Sequence, residues 1–211
     1  MEQLTKDKKQ RLSEIIKFSW NILIEYVSNK KVKLNKESSL QLHYSAILKQ
    51  IGELFCVKPN ENFWIELESN YGGKNIDIFC GIDNTKAAIE MKCFKKYSSS
   101  GGKSAAHDIK MYDVFVDISR ISDYEDGKYV DLGFFLCYTD DSYFVKGGTI
   151  NGYAENFNTR EGRKYKKGQL LKPSWIGKWK NKERDKEIKL RRDIEFNWIT
   201  RDSNNFLILE I

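Results

Sequence analysis

Three charged residues in two neighbouring strand-like segments have the types and spacing that chemistry requires. Asp77 lies in the segment 74–83, and Glu90 and Lys92 lie in the segment 86–94. Because alternate residues of a strand share a face, Glu90 and Lys92 project together while the apolar residues between them turn to the other side. We therefore expect the charged pair to face away from an apolar core.

The length of the loop between the two segments decides which residue Asp77 faces. A two-residue loop at Asp83 and Asn84 places Asp77 opposite Glu90, with Cβ atoms roughly 4.5–5.5 Å apart. A four-residue loop would instead pair Asp77 with Lys92. Both registers gather the three charged groups on one face, whereas a three-residue loop without a bulge would not.

Two carboxylates at this separation call for a cation. They repel each other by about 1 kcal/mol at 4 Å in water, and by several-fold more in a partly dry site. Carboxylate oxygens with retained waters suit Mg²⁺. Such an ion stabilises charge on a phosphoryl oxygen and makes a bound water easier to deprotonate, and Lys92 would orient or further acidify that water. The pattern predicts phosphodiester hydrolysis.

Apolar periodicity predicts the elements that would position these groups. Helical spacing predicts helices over 10–28, 40–55 (after an N-cap at Ser38 or Ser39) and 107–121, although VFVDI in the last also fits a strand. Period-two or buried patterns predict strands over 63–71, 74–83, 86–94, 131–139, 194–199 and 206–211. The predicted order is α, α, β, β, β, α, β, a basic segment, β, β, in one domain over 1–211.

The pattern Asp77, twelve residues, then Glu90-x-Lys92 on a hairpin resembles the PD-(D/E)xK nuclease superfamily. The resemblance covers about residues 38–140. It implies an α/β fold with a restriction-endonuclease-like core, α-β-β-β-α-β, in which helices flank a central mixed sheet. An N-terminal helix and a C-terminal basic and β extension would lie outside it. Asp77 and Glu90 would be the metal ligands and Lys92 the catalytic lysine.

Many members of the superfamily add an acidic or Gln residue from the helix before the strands. The candidates here are Gln41, His43 and Glu53. Helical arithmetic places Glu53 about 160° from Ile51, at the centre of the apolar stripe, and places Gln41 at its flank. Glu53 therefore points away from the core, and Gln41 is the better candidate.

Three further carboxylates are possible accessory groups. Glu66 and Glu68 share a face of the first strand and are either additional metal ligands or exposed strand carboxylates. His107 and Asp108 begin the third helix, where they either approach the metal face or, for the carboxylate, stabilise the helix N-terminus.

The positive charge is concentrated near the C-terminus. Residues 159–192 contain 14 Lys/Arg and 4 Asp/Glu, whereas the rest of the chain contains 22 and 26. Such a segment suits a nucleic-acid backbone, because each neutralised phosphate releases counterions. A solvated charged face is the alternative, and the interleaved Tyr165, Trp175 and Trp179 favour a surface that packs against something. The residues expected nearest a phosphate backbone are Arg160, Arg163, Lys164, Lys166 and Lys167.

A polar loop over 98–103 follows the strand that bears Glu90. Together with Lys95, Lys96 and Lys103 it would wrap a DNA backbone, or it is a plain connector. It lacks the GxxxxGK[ST] spacing of a P-loop, so no nucleotide cofactor is expected.

Composition excludes several classes of protein. Of 211 residues, 40% are hydrophobic and two are Pro, which argues against disordered, collagen-like and disulfide-scaffold proteins. Apolar runs fall short of the roughly 20 residues that cross a bilayer, and the N-terminus is charged where a signal peptide is apolar. Four cysteines without a CxxC pair argue against a zinc site. We expect a cytoplasmic protein without a membrane partner.

The resemblance implies a Mg²⁺-dependent endonuclease acting on double-stranded DNA, most like a type II restriction endonuclease and hence a homodimer. One alternative is a structure-selective, repair or transposition nuclease of the same fold. Another is a catalytically inactive DNA-binding adaptor, against which the intact set of Asp77, Glu90 and Lys92 argues.

Overall fold

Two helices precede the strands in this computed structural model, which describes residues 7–71, 74–97, 101–103, 106–147, 155–173 and 186–211. Helix α1 spans Lys8–Ser28 and α2 spans Glu37–Phe55. The expected N-cap at Ser38 or Ser39 is wrong, because Lys36 is the N-cap and both serines lie in the first turn. The Ser39 hydroxyl donates to the Lys33 carbonyl, 3.3 Å away, instead of accepting an amide proton. The Glu37 carboxylate in that turn complements the helix dipole.

A mixed six-stranded sheet forms the centre of the fold, in the order β1-β2-β3-β4-β10-β9. Its strands are β1 (Phe63–Tyr71), β2 (Lys74–Ile82), β3 (Thr85–Phe94), β4 (Leu132–Thr139), β9 (Ile199–Arg201) and β10 (Asn204–Glu210). Strands β3 and β4 are parallel, and the other neighbours are antiparallel. A parallel pair needs a crossover, and helix α3 (His107–Asp126) supplies it. The α/β class and the mixed sheet flanked by helices are confirmed.

The C-terminal part adds short elements on the α3 side of the sheet. They are α4 (Tyr143–Lys146), a 3₁₀ turn (Glu155–Phe157), β5 (Lys164–Tyr165), β6 (Leu170–Leu171), β7 (Ile188–Lys189) and β8 (Ile194–Glu195). Strand β5 pairs with β8, and β6 pairs with β7. The predicted single strand over 194–199 is therefore wrong: its first residues pair with β5, and its last residue opens β9 in the central sheet.

The predicted third helix is confirmed, and the VFVDI stretch, which also fitted a strand, lies within it. These residues lie in the middle of α3, where Val114, Phe115 and Ile118 are buried and Val116 is exposed. That spacing is the three- and four-residue repeat of a helix with one covered face.

Both faces of the sheet are covered by apolar clusters. On one face Ile89 and Met91 pack with α1 and α2, around Trp20 and Tyr44. The other face carries a cluster built from α3, the C-terminal elements and Phe135. The expectation that Glu90 and Lys92 face away from an apolar core is therefore only half right. They turn away from the core under α1 and α2, but α3 covers their own face, as a crossover helix must.

The basic segment is attached to the fold by buried side chains. Tyr165 is buried against Phe115 and Phe196, and its hydroxyl donates to the Asn158 carbonyl at 2.8 Å. It is therefore a core residue rather than a surface aromatic. Trp175 and Trp179 lie outside the described residues. Among the helices described here, none is both long enough and apolar enough to cross a membrane.

Candidate active site on the β2–β3 hairpin

A two-residue turn at Asp83 and Asn84 joins β2 to β3. Ile82 pairs with Thr85 and Ile78 with Ile89, so Asp77 and Glu90 are opposite each other by continuation of this register. The four- and three-residue loops are excluded. Asp83 has a φ of 51°, and its carboxylate accepts hydrogen bonds from Lys8 Nζ (2.7 Å) and from the amide of Asn62 (3.0 Å). The turn that sets the register is thus fixed from both sides.

The Asp77 carboxylate is held against the neighbouring strand. Its Oδ2 accepts a hydrogen bond from the amide of Met91, with an N···O distance of 2.6 Å. Burial raises the pKa of Asp77, the nearby Asp117 and Glu68 add to this effect, and Lys92 opposes it. The pKa of Asp77 is therefore raised mainly because burial disfavours its charged form.

Glu90 is fully buried between β3 and α3. Its Oε2 lies 2.5 Å from Nη2 of Arg120, whereas its Oε1 is buried without a hydrogen-bond partner in the described part of the chain. Burial, together with Asp117 and Asp77, raises the pKa of Glu90 to about 8, although Arg120 opposes the shift. Buried carboxylate oxygens normally accept hydrogen bonds, so the unpartnered Oε1 leaves Glu90 able to bind a further donor or an ion.

Lys92 lies on β3 two residues after Glu90, interacts electrostatically with Asp77 and is itself paired with other acidic groups. Its Nζ is 2.7 Å from Asp117 Oδ2 and 3.7 Å from Glu37 Oε1, and it donates to the Met91 carbonyl at 3.1 Å. Burial lowers the pKa of Lys92, but Asp117 and Glu37 outweigh it and the pKa is raised overall. Lys92 is therefore an ammonium at neutral pH. It can donate hydrogen bonds and position a water or a phosphate, but it cannot accept a proton.

Asp117 and Arg120 also contact Glu90 and Lys92, and neither was predicted from sequence spacing. Asp117 is nearly buried and contacts Lys92 as well as Arg120, whose Nη2 lies 2.9 Å from its Oδ1. A signal was present: Asp117 falls on the apolar stripe formed by Val114 and Ile121, where a charge needs a partner. The sequence pattern does not show which strand the apolar stripe of α3 packs against.

Gln41 is the accessory candidate that the structure brings to the hairpin. Its Nε2 donates to the Asp77 carbonyl (2.8 Å) and to Glu68 Oε1 (2.7 Å). Glu68 has a φ of 54° and lies across from Asp77 in the β1–β2 register. His43 makes no described contact with this group. Glu53 is exposed, twelve residues beyond Gln41 on α2 and hence about 18 Å along the helix axis.

The remaining accessory candidates lie apart from the described contacts of the hairpin carboxylates. Glu66 is exposed, pairs in register with Phe79 and accepts a hydrogen bond from Ser69 Oγ at 3.0 Å. Asp108 is in the first turn of α3, where it complements the helix dipole. Its neighbour His107 contacts Asp141 instead, with Nε2 2.8 Å from Oδ2. Neither residue is tied to Asp77 or Glu90.

The basic residues form two groups on the surface. Lys95, Lys96 and Lys103 follow the end of β3; Lys95 pairs with Asp140, and Lys96 lies 5.7 Å from the Tyr97 ring centroid. The second group surrounds β5. It comprises Arg160, Arg163, Lys164, Lys166 and Lys167.

Several members of this second group already have intramolecular partners. Lys164 pairs with Glu195 at 3.1 Å and Lys166 with Asp193 at 2.8 Å. Both pairs are solvent-exposed, and exposed pairs contribute little to stability, so they exchange readily for other anions.

The two hairpin carboxylates, Asp77 and Glu90, suit a magnesium ion that keeps most of its waters better than they suit a metal ion whose ligands all come from the protein. No three His, Cys, Asp or Glu side chains converge to hold an ion within the described ranges. Mg²⁺, however, keeps several waters and takes only one or two carboxylates from the protein. Asp77 and Glu90 could supply such a pair, since Oε1 of Glu90 is buried and has no hydrogen-bond partner in the described part of the chain. Bound there, the ion would stabilise charge on a phosphoryl oxygen and acidify a water.

Comparisons with protein-family models, with curated proteins and with solved structures found no match to this chain.

Stability of the metal-free protein is expected to fall as pH rises from about 5 to about 8. The pKa of Glu90 is about 8 in the folded protein and about 4.3 in an unfolded chain. Between these values the folded state binds the extra proton, so deprotonation costs stability, by a few kcal/mol in all. The raised pKa of Asp77 acts in the same direction.

Urea denaturation in EDTA across this pH range measures the effect. Glu90→Gln, which is neutral at every pH, should show a much flatter dependence than the wild-type protein. Equal slopes for the two proteins would show that Glu90 is not held protonated by its surroundings.

Proposed function

We propose that the protein is a Mg²⁺-dependent endonuclease that hydrolyses phosphodiester bonds of double-stranded DNA, as a sequence-specific type II restriction enzyme does. One observation carries this proposal. Glu90 is buried opposite Asp77 with an unpartnered oxygen, and the ammonium of Lys92 lies on the same face. Two carboxylates and a lysine in this arrangement suit a metal ion and a phosphate.

The order of elements supports a restriction-endonuclease-like core. From α2 to β4 the chain runs α-β-β-β-α-β, and the central strand β3 carries both Glu90 and Lys92. The proposed ligands thus come from the middle of the sheet, where hydrogen bonds on both sides fix the backbone.

Each residue of the site has a distinct role in the proposed reaction. Asp77 and Glu90 would hold the metal ion. Lys92, kept protonated by Asp117, would orient the attacking water or the phosphate oxygen. Gln41 would fix the backbone at Asp77 through its hydrogen bond to the Asp77 carbonyl.

The basic groups support a nucleic-acid partner. Lys95, Lys96 and Lys103 follow directly after the strand that bears Glu90, so a backbone bound at the site would pass near them. The group around β5 would add further phosphate contacts. Two such sites would cut both strands of a duplex in one encounter, which favours a homodimer.

One observation favours a second candidate, an inactive DNA-binding adaptor. Arg120 and Asp117 already neutralise Glu90 and Lys92 within the protein, as a purely structural ion network would. In that case the charged groups would hold α3 on the sheet and perform no chemistry.

Cleavage assays separate these functions. The purified protein is incubated with supercoiled plasmid, linear DNA and a four-way junction, with Mg²⁺ or with EDTA, and the ends are sequenced. We expect discrete plasmid fragments that require Mg²⁺. Cutting of the junction alone would assign a structure-selective nuclease. DNA binding without cleavage in either Mg²⁺ or Mn²⁺ would overturn the proposal in favour of the adaptor.

A further inference from the structure

The Arg120 guanidinium occupies the position of a counter-cation at the proposed metal site. Its Nη2 lies 2.5 Å from Glu90 Oε2 and 2.9 Å from Asp117 Oδ1, so one nitrogen bridges two carboxylates. Glu90 and Asp117 are on different elements, β3 and α3. Arg120 therefore links the crossover helix to the strand that bears the proposed ligand.

A divalent ion at Glu90 must compete with this guanidinium. Two cations beside one buried carboxylate repel each other, and the repulsion is several-fold stronger in a partly dry site than in water. In addition, an oxygen that accepts a short hydrogen bond from Arg120 has given up part of its capacity to coordinate an ion. The contact between Arg120 and Oε2 of Glu90 is thus weakened when an ion binds at the free Oε1.

Arg120 has somewhere to go when it leaves Glu90. Its side chain is 23% exposed, and its Nε has no hydrogen-bond partner in the described part of the chain. It lines a cleft of about 880 Å³ between α3 and residues 186–192. Because the Arg120 side chain already reaches solvent beside this cleft, a guanidinium displaced from Glu90 would not be left in a buried position.

We propose that Arg120 is a tethered counter-cation that holds Glu90 in place in the metal-free protein, competes with a divalent ion for this carboxylate and so lowers the metal affinity of the site. The inference rests on the proposed function, since it takes Asp77 and Glu90 as the metal ligands. Arg120 acts through Glu90 and is a positioning residue. Arg120 keeps the Glu90 carboxylate in place while no metal is bound. By competing with the ion, it also restricts metal binding to conditions in which the ion is abundant.

Binding of Mn²⁺ to the metal-free protein tests the proposal without DNA and without any measurement of activity. Free Mn²⁺ is measured by electron paramagnetic resonance during titration of the wild-type protein and of Arg120→Gln. We expect Arg120→Gln to lower the dissociation constant for Mn²⁺ by about tenfold, within the usual range of coupling between two ligands.

The matched control is Arg201→Gln. Arg201 is exposed on β9 and lies outside both the site and the cleft. Because both variants replace one arginine by glutamine, they have the same net charge. It should bind Mn²⁺ within about twofold of the wild-type protein, because β9 is an edge strand three positions away from β3 and salt largely screens exposed charges that far apart. An equal gain in both variants would assign the effect to net charge and overturn the proposal.

The outcomes distinguish a failure of the proposal from a failure of the proposed function. The proposal is overturned if Arg120→Gln binds Mn²⁺ no more tightly than the wild-type protein. It is also overturned if neither the wild-type protein nor Arg120→Gln binds Mn²⁺. If Glu90→Gln binds Mn²⁺ as the wild-type protein does, the ion is not at Glu90, and the proposed active site fails with it. If Arg120→Gln does not fold, Arg120→Lys replaces it, with a smaller gain expected and an unchanged affinity counting against the proposal.

Discussion

Asp77→Asn is expected to reduce Mg²⁺-dependent DNA cleavage by roughly 10³-fold. A bound metal supplies several kcal/mol of charge stabilisation in the transition state, and each 1.36 kcal/mol is a factor of ten in rate. The substitution removes the negative charge that attracts the ion. It keeps an oxygen that can accept the hydrogen bond from the amide of Met91, so the hairpin should stay intact.

The control for this variant is Asp131→Asn. Asp131 also accepts a hydrogen bond from a strand amide, that of Lys86 at 2.9 Å, but it is exposed and lies outside the site. Plasmid cleavage by the two variants is compared at equal protein concentration, with thermal unfolding as the measure of folding. Cutting by Asp77→Asn at the wild-type rate would refute the assignment of Asp77 as a metal ligand.

Lys92→Met should reduce cleavage by roughly 10²–10³-fold, which is the usual loss when a preorganised donor to developing charge is removed. The ammonium lies between Asp117 and Glu37 and is held there in its protonated form. Its removal also leaves Asp117 with less compensation. The free energy of unfolding should therefore fall by about 1–3 kcal/mol, the cost of leaving a buried charged group unsatisfied.

Lys92→Arg separates the two effects. It restores a cation beside Asp117 and hence most of the stability, but the guanidinium cannot reproduce the position of the ammonium, so cleavage should stay low. Lys17→Met serves as the control, because Lys17 forms an exposed ion pair with Glu210 away from the site. Full activity of Lys92→Met would contradict a catalytic role for Lys92 and favour the adaptor.

The hairpin and the shared face of its charged groups were predictable because they depend on local patterns. Alternation over 74–94 places Asp77, Glu90 and Lys92 on one face, but it left a two-residue and a four-residue turn open, and only the structure selects the two-residue turn. These features are fixed by chain geometry over about 20 residues. The long strands and helices of the core follow from periodicity in the same way.

The contacts made across the fold were not predictable. Asp117 and Arg120 reach Glu90 and Lys92 only because α3 crosses the face of the sheet that bears them, and sequence spacing does not say which residues of a helix meet which strand. Glu37, which contacts Lys92, lies in the first turn of α2, which begins three residues before the predicted start at residue 40.

The short C-terminal strands could not be predicted from the sequence for another reason. Strands β5 to β8 have two residues each, which is too short for any periodicity to appear. Their pairing depends on the apolar cluster that Tyr165 and Phe196 enter from distant parts of the chain.

A crystal structure of the protein soaked in Mn²⁺ tests most directly whether Asp77 and Glu90 share an ion. Anomalous scattering locates the manganese independently of the surrounding atoms. We predict a peak within about 2.0–2.2 Å of a carboxylate oxygen of each residue, with Arg120 withdrawn from Glu90. Density confined to other sites at saturating Mn²⁺, with Arg120 still bound to Glu90, would contradict the proposed metal centre.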